Sequence, residues 1–210
     1  MRRIAILAAT SAALLMAPAL GPPAVSSSAW ALDLNPLSAI KSAVEAAVED
    51  RSADDIATDA RIKTEITVEV LDKMAKEVIS ISADVYEQDV MLTGAVDKSE
   101  VKAKVQKLAA AVEGVKNIFN EIMIINPVDK KKGAVEGFVD DTVIESKINA
   151  LLLDGSGVSV TNFRWRSVQG RVFLFGRALS AAERNKAVGI VEGIKNVVSV
   201  TNRVKVKPKS

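Results

Sequence analysis

A chain of 210 residues has room for more than one small domain, and this one contains neither cysteine nor histidine. The missing thiols exclude disulfides, thiolate metal sites, a thiol nucleophile and an amino-terminal lipidated cysteine. The missing imidazole removes the commonest general base and metal ligand, which counts strongly against an enzyme and leaves only a carboxylate-based site open. The net charge of +2 hides an opposition: residues 32–127 carry 11 basic and 18 acidic side chains (−7), residues 128–210 carry 15 basic and 8 acidic (+7).

Arg2 and Arg3 followed by the apolar run Ile4 to Leu20 form an export signal, and Ala29-Trp30-Ala31 suits cleavage before Leu32. Residues 1–31 therefore read as a signal peptide, with Ser27-Ser28-Ala29 a weaker cleavage site and an uncleaved anchor the alternative, and the remainder is expected to be exported, soluble and periplasmic, with no further membrane span. Residues 32–51 hold a short amphipathic helix. Asn35 caps it, Pro36 takes its first turn, and Leu37, Ile40, Val44 and Val48 share one stripe.

From there the chain repeats itself at a period of 82 residues. Asp59, Ile62 and Ile66 lie over Asp141, Ile144 and Ile148; Val90, Leu92 and Gly94 lie over Val172, Leu174 and Gly176; Val115, Ile118 and Asn120 lie over Val197, Val200 and Asn202. A period this long is a whole small domain. In the first copy, residues 52–126, the pattern predicts a helix from Asp55 to Leu71, a strand from Val78 to Tyr86, a turn at Glu87-Gln88-Asp89 and a strand from Val90 to Gly94. A second helix from Lys98 to Val112, a left-handed terminator at Gly114 and a last strand from Val115 to Ile125 complete it. Residues 127–134, with three lysines, are a short polar linker.

The second copy, residues 135–208, repeats the order: helix Asp140 to Leu153 with core stripe Ile144, Ile148 and Leu151, strand Val158 to Val168, turn Gln169-Gly170, strand Val172 to Gly176, helix Ala181 to Ile194 and strand Val197 to Val206. Asn196 takes the place of the terminating glycine. Asp140 and Asp141 read as helix caps and dipole partners. The fold class is α+β. Each domain is an αββαβ unit whose small three-stranded mixed sheet carries two helices on one face and is expected to leave the other open.

An Asp-x-x-Ile helix start (Asp59 to Ile62, Asp141 to Ile144), a Val-x-Leu-x-Gly strand (Val90 to Gly94, Val172 to Gly176) and a closing strand (Gly114 to Asn120, Asn196 to Asn202) together resemble the BON domain. The chain is similar to tandem BON proteins of the osmotically inducible periplasmic family. That resemblance implies envelope maintenance under stress, phospholipid binding, no catalytic residues and no cofactor.

Alternation places Phe163, Trp165, Val172 and Leu174 toward the helices of the second domain and Arg164, Arg166, Phe173 and Phe175 on the opposite face. The corresponding face of the first domain shows Ser82, Asp84, Met91 and Thr93. Arginine interleaved with aromatic surface suits an anionic amphiphile or a protein partner; alternatively, the acidic first domain covers it. Lys205 and Lys207, with Arg203 and Lys209, line one side of the last strand and add attraction to an anionic surface or protect the edge. A second candidate lipid contact is the first helix of the second domain, with Phe138, Val139, Val143, Leu151 and Leu152 around it, although Lys147 is its one basic residue beside Asp140, Asp141 and Glu145. The leading expectation is anionic phospholipid bound peripherally through Arg164, Arg166, Phe173, Phe175, Lys205 and Lys207, with no nucleic acid. The alternative is a protein-interaction adaptor that docks an envelope protein or self-associates through the same face.

Overall fold

The structure is a computed structural model that describes residues 49–74, 80–125, 140–155 and 157–208, all within one compact unit, Asp33–Ser210. The export signal, the amphipathic segment from Asn35 to Val48, Phe138, Val139, Lys209 and the lysine linker lie outside the described residues.

The first domain opens with α1 (Ala53–Met74). Ser52 starts it, its hydroxyl accepting the Asp55 N–H at 3.1 Å, and Asp54 and Asp55 sit favourably against the positive end of the helix. The helix begins earlier and runs longer than its apolar stripe required, and buries Ile62, Ile66, Val70 and Met74 on one face. Then come β1 (Ser80–Tyr86), β2 (Asp89–Val96), α2 (Ser99–Ala110), β3 (Asn117–Asn120) and β4 (Met123–Ile124). The single last strand expected from Val115 to Ile125 is thus two short ones, both parallel to β2. The Glu121 N–H keeps the path in register by donating to the Leu92 carbonyl at 2.8 Å.

The second domain has α3 (Asp141–Asp154), β5 (Phe163–Val168), β6 (Arg171–Ala178), α4 (Ala181–Glu192) and β7 (Ser199–Val206). Its sheet order is β5-β6-β7, antiparallel then parallel, as in β1-β2-β3 of the first. Two details differ from expectation. The strand expected to begin at Val158 is preceded by a turn of 3-10 helix at Val160–Asn162. There the Ser159 N–H donates to the buried carboxylate of Glu183 at 2.6 Å instead of joining a ladder. On α3 the buried stripe ends on Leu152, not Leu151, which is 45% exposed. Both positions satisfy helical spacing from Ile148, and packing into the core of the second domain selects Leu152.

Each sheet carries its own helices on one face over a separate core. Ile62, Ile66, Val90, Leu92 and Val105 belong to the first core; Ile144, Ile148, Phe163, Val172, Leu174 and Val191 belong to the second. The expected open faces are not open. They stack on each other, with β1 against β6 and β2 against β5. Tyr86, Met91, Phe173 and Phe175 form a third buried cluster between them.

Candidate functional site

The alternation places the side chains as the pattern dictates. Phe163, Val172 and Leu174 face the helices, with Trp165 partly buried against them. Phe173 and Phe175 face away from them, yet are only 5% and 2% exposed because the first domain covers them. Phe175 meets Phe119 edge to face, with centroids 6.0 Å apart. Such a contact contributes about 1 kcal/mol beyond its area.

The charges of this face are engaged in the same way. Arg166 Nε donates to Asp84 Oδ2 at 3.0 Å and to Ser82 Oγ at 3.1 Å. Arg164 reaches Glu49 Oε1 at 2.5 Å and the carbonyls of Thr161 and Phe163 at 2.7 and 2.9 Å. Arg203 donates to Glu121 Oε1 at 2.7 Å. Arg177 pairs with Glu87 and Asp50, Lys205 with Asp89, and Lys207 with Asp50 at 2.8 Å. Arg164 and Arg166 keep 29% and 35% of their side-chain surface, and Lys205 and Lys207 are half-exposed.

The repeat explains this arrangement. Asp84 and Arg166 are equivalent positions 82 residues apart, as are Glu121 and Arg203. Each meets its own counterpart, as residues near a two-fold axis do. In two identical domains those positions would set like charge against like. Here one copy is acidic and the other basic, which is the structural meaning of the −7 and +7 halves.

Burial pushes the Asp84 carboxyl up, but the neighbouring Arg166 and Lys63 charges more than offset it and hold Asp84 below the usual 3.8. Asp84 in turn pushes the Arg166 guanidinium up despite its burial. Because its folded value lies below its unfolded value, Asp84 stabilises the structure above the usual carboxylate range and loses that contribution as pH falls through the depressed value. An acid titration should therefore show interdomain contacts weakening below about pH 4 in the parent chain, with a smaller pH dependence in Asp84→Asn. Identical titration curves for the two chains would show that Asp84 does not carry this linkage.

Beside the covered face lies an open groove of about 810 Å³ between α3 and β5. Thr142, Ser146 and Asn149 form its helical wall; Arg164, Trp165 and Arg166 form its strand wall. Val160 and Leu153, the latter well exposed, give it an apolar end. Glu145 also lines it, its carboxyl pushed up by burial while accepting the Ser167 N–H at 2.8 Å. The groove, assembled by packing, could not be read from alternation along one strand. Among the described residues no group of acidic side chains is placed to hold a metal ion, and no helix is long and apolar enough to cross a membrane.

Asp59 and Asp141 have a role that the sequence pattern did not reveal. Asp140 does cap α3, accepting from the Thr142 and Val143 N–H groups. Asp141 instead reaches the β5–β6 turn, accepting from Gln169 N at 2.7 Å, Gly170 N at 2.9 Å and Ser167 Oγ at 2.5 Å. Asp59 does the same for the β1–β2 turn, accepting from Glu87 N and Gln88 N, both at 2.7 Å. Both turns run through left-handed backbone, at Glu87 and Gln88 and at Gln169 and Gly170. The spacing of this aspartate to the turn, 28 residues in each copy, was the available signal.

The family model for the BON domain matches residues 58–126 and again 140–208. The chain belongs to the BON domain family. Relatives extend over most of it. Osmotically-inducible protein Y of Escherichia coli (strain K12) is 30% identical over 154 residues, 73% of this chain and 73% of the relative. The outer membrane lipoprotein DolP of Haemophilus influenzae is 28% identical over 69% of this chain and 79% of its own length. An uncharacterized protein in the gshII 5' region of Anaplasma centrale is 33% identical over 61% of this chain and 82% of its own length. The two BON domains are thus tandem copies docked sheet to sheet.

Proposed function

We propose that this is a non-enzymatic, exported periplasmic protein that supports the envelope under osmotic or related stress by binding anionic phospholipid reversibly through its second BON domain. The observation that carries the reading is the groove between α3 and β5. It sets two partly exposed guanidinium groups beside an indole and a short apolar wall. A phosphodiester headgroup meets Arg164 and Arg166 there, and the start of its acyl chains meets Trp165, Val160 and Leu153. Lys205 and Lys207 add long-range attraction, and Phe173 and Phe175 back the arginine face from inside. Relatives named for osmotic induction and for the outer membrane support the cellular setting.

Sedimentation of the chain from Leu32 with vesicles tests it. Binding is expected with phosphatidylglycerol, not with phosphatidylcholine alone, and should weaken as salt rises. Because Arg164 and Arg166 also pair with acids of the first half, neutral Arg164→Gln with Arg166→Gln is the appropriate variant; charge reversal would drive the domains apart. A loss of about tenfold in vesicle affinity is expected, corresponding to about 1.4 kcal/mol. Made on an Asp84→Asn background, where the Arg166–Asp84 pair is already gone, unchanged affinity removes these arginines from the site.

A further inference from the structure

Among the described residues, every ion pair that joins the two halves has the same polarity. Glu49, Asp50, Asp84, Glu87, Asp89 and Glu121 supply the acids; Arg164, Arg166, Arg177, Arg203, Lys205 and Lys207 supply the bases. The second domain's sheet face therefore already holds an anionic surface, made by the first domain together with Glu49 and Asp50 just before it.

The junction has a smaller apolar cluster than either domain core. Among the described residues the two domain cores bury 14 and 11 apolar residues in their clusters, whereas the cluster between the sheets buries four. Three polar atoms in or beside this junction, Tyr86 Oη, Thr93 Oγ1 and Arg177 Nε, are buried without a hydrogen-bond partner. Burying an unpaired polar atom opposes association, and water would satisfy all three if the sheets parted. Each domain has its own buried core, separate from the cluster at the junction.

We propose that the first domain occupies the second domain's sheet face as an intramolecular stand-in for an anionic membrane, and that a phosphatidylglycerol surface displaces it. In the exchange Arg164, Arg166, Arg177, Arg203 and Lys205 trade carboxylate partners for lipid phosphates, and Phe173 and Phe175 move from the Tyr86–Met91 cluster to the acyl boundary. The closed form holds the apolar face out of water until a dense anionic surface competes for it. This inference rests on the phospholipid reading and adds a requirement to it: the domains must part.

The absence of native cysteine makes a specific lock available. Glu121→Cys with Arg203→Cys replaces a solvent-accessible pair at the rim, and a reducible bis-maleimide would join the two thiols across the interface. Vesicle binding by the joined chain is expected to fall at least about tenfold on phosphatidylglycerol and to return when the linker is reduced. A second variant in the full chain, Asp84→Asn with Asp89→Asn, weakens the first domain's hold and should raise affinity by about tenfold. Equal binding by joined and reduced chains overturns the exchange and leaves groove binding standing. No binding by the parent chain, the reduced chain or the neutralised variant overturns the phospholipid reading, and the exchange with it.

Discussion

Gly176→Ala should unfold the second domain or destabilise it by about 4 kcal/mol or more, among the largest effects a single methyl can have. Gly176 lies in β6 at φ 109°, where a side chain is strained. A Cβ there would stand 2.1 Å from the Asn162 carbonyl oxygen and 3.3 Å from the Phe163 Cα, both backbone atoms that cannot swing aside. The close approach lets the 3-10 turn cross onto β6, where Phe163 pairs with Gly176. Gly157→Ala is the control. It too has a positive φ, of 80°, but nothing within 4 Å, so only the backbone cost of about 1 kcal/mol applies. Thermal unfolding by circular dichroism separates the two. Similar losses in both variants would mean that conformational strain, and not the carbonyl contact, accounts for the glycine.

Asp59→Ala is expected to cost about 3 kcal/mol and to lower the melting temperature by about 10 °C. Its carboxylate holds two backbone N–H groups of the left-handed β1–β2 turn, the Gln88 side-chain amide at 3.1 Å, and Arg51. Removing it orphans buried donors and leaves Arg51, which also stacks over Tyr86 at 4.1 Å, with Glu49 as its remaining acidic partner. Asp54→Ala, in the first turn of the same helix but exposed, removes only a charge at the helix start and should cost under about 1 kcal/mol. If the two aspartates prove equally dispensable, the turn is held by its backbone alone.

Local patterns and long-range packing divide what could be foreseen from what could not. Val90, Leu92, Val172 and Leu174 could be assigned to buried faces because strand alternation is local. Gly114 and Asn196 could be assigned left-handed backbone, found at φ 89° and 76°, because a helix must end there. Leu151 and Leu152 could not be separated, since both satisfy helical spacing and only the opposing surface chooses. Asp141 read as a cap because capping is a short-range pattern, whereas its partners lie 26 to 29 residues away.

The duplicated αββαβ order, the membership of both copies in one family and the opposite charges of the halves were all present in the linear chain, because periodicity and composition need no partner to be read. Alternation also put Arg164, Arg166, Phe173 and Phe175 on one face. What stayed undetermined was whether that face meets water. Exposure depends on where the other domain goes, and Asp84 meets Arg166, and Glu121 meets Arg203, only once two sheets distant along the chain are stacked. Side-chain direction is set within a few residues, but burial is a property of the assembled surfaces.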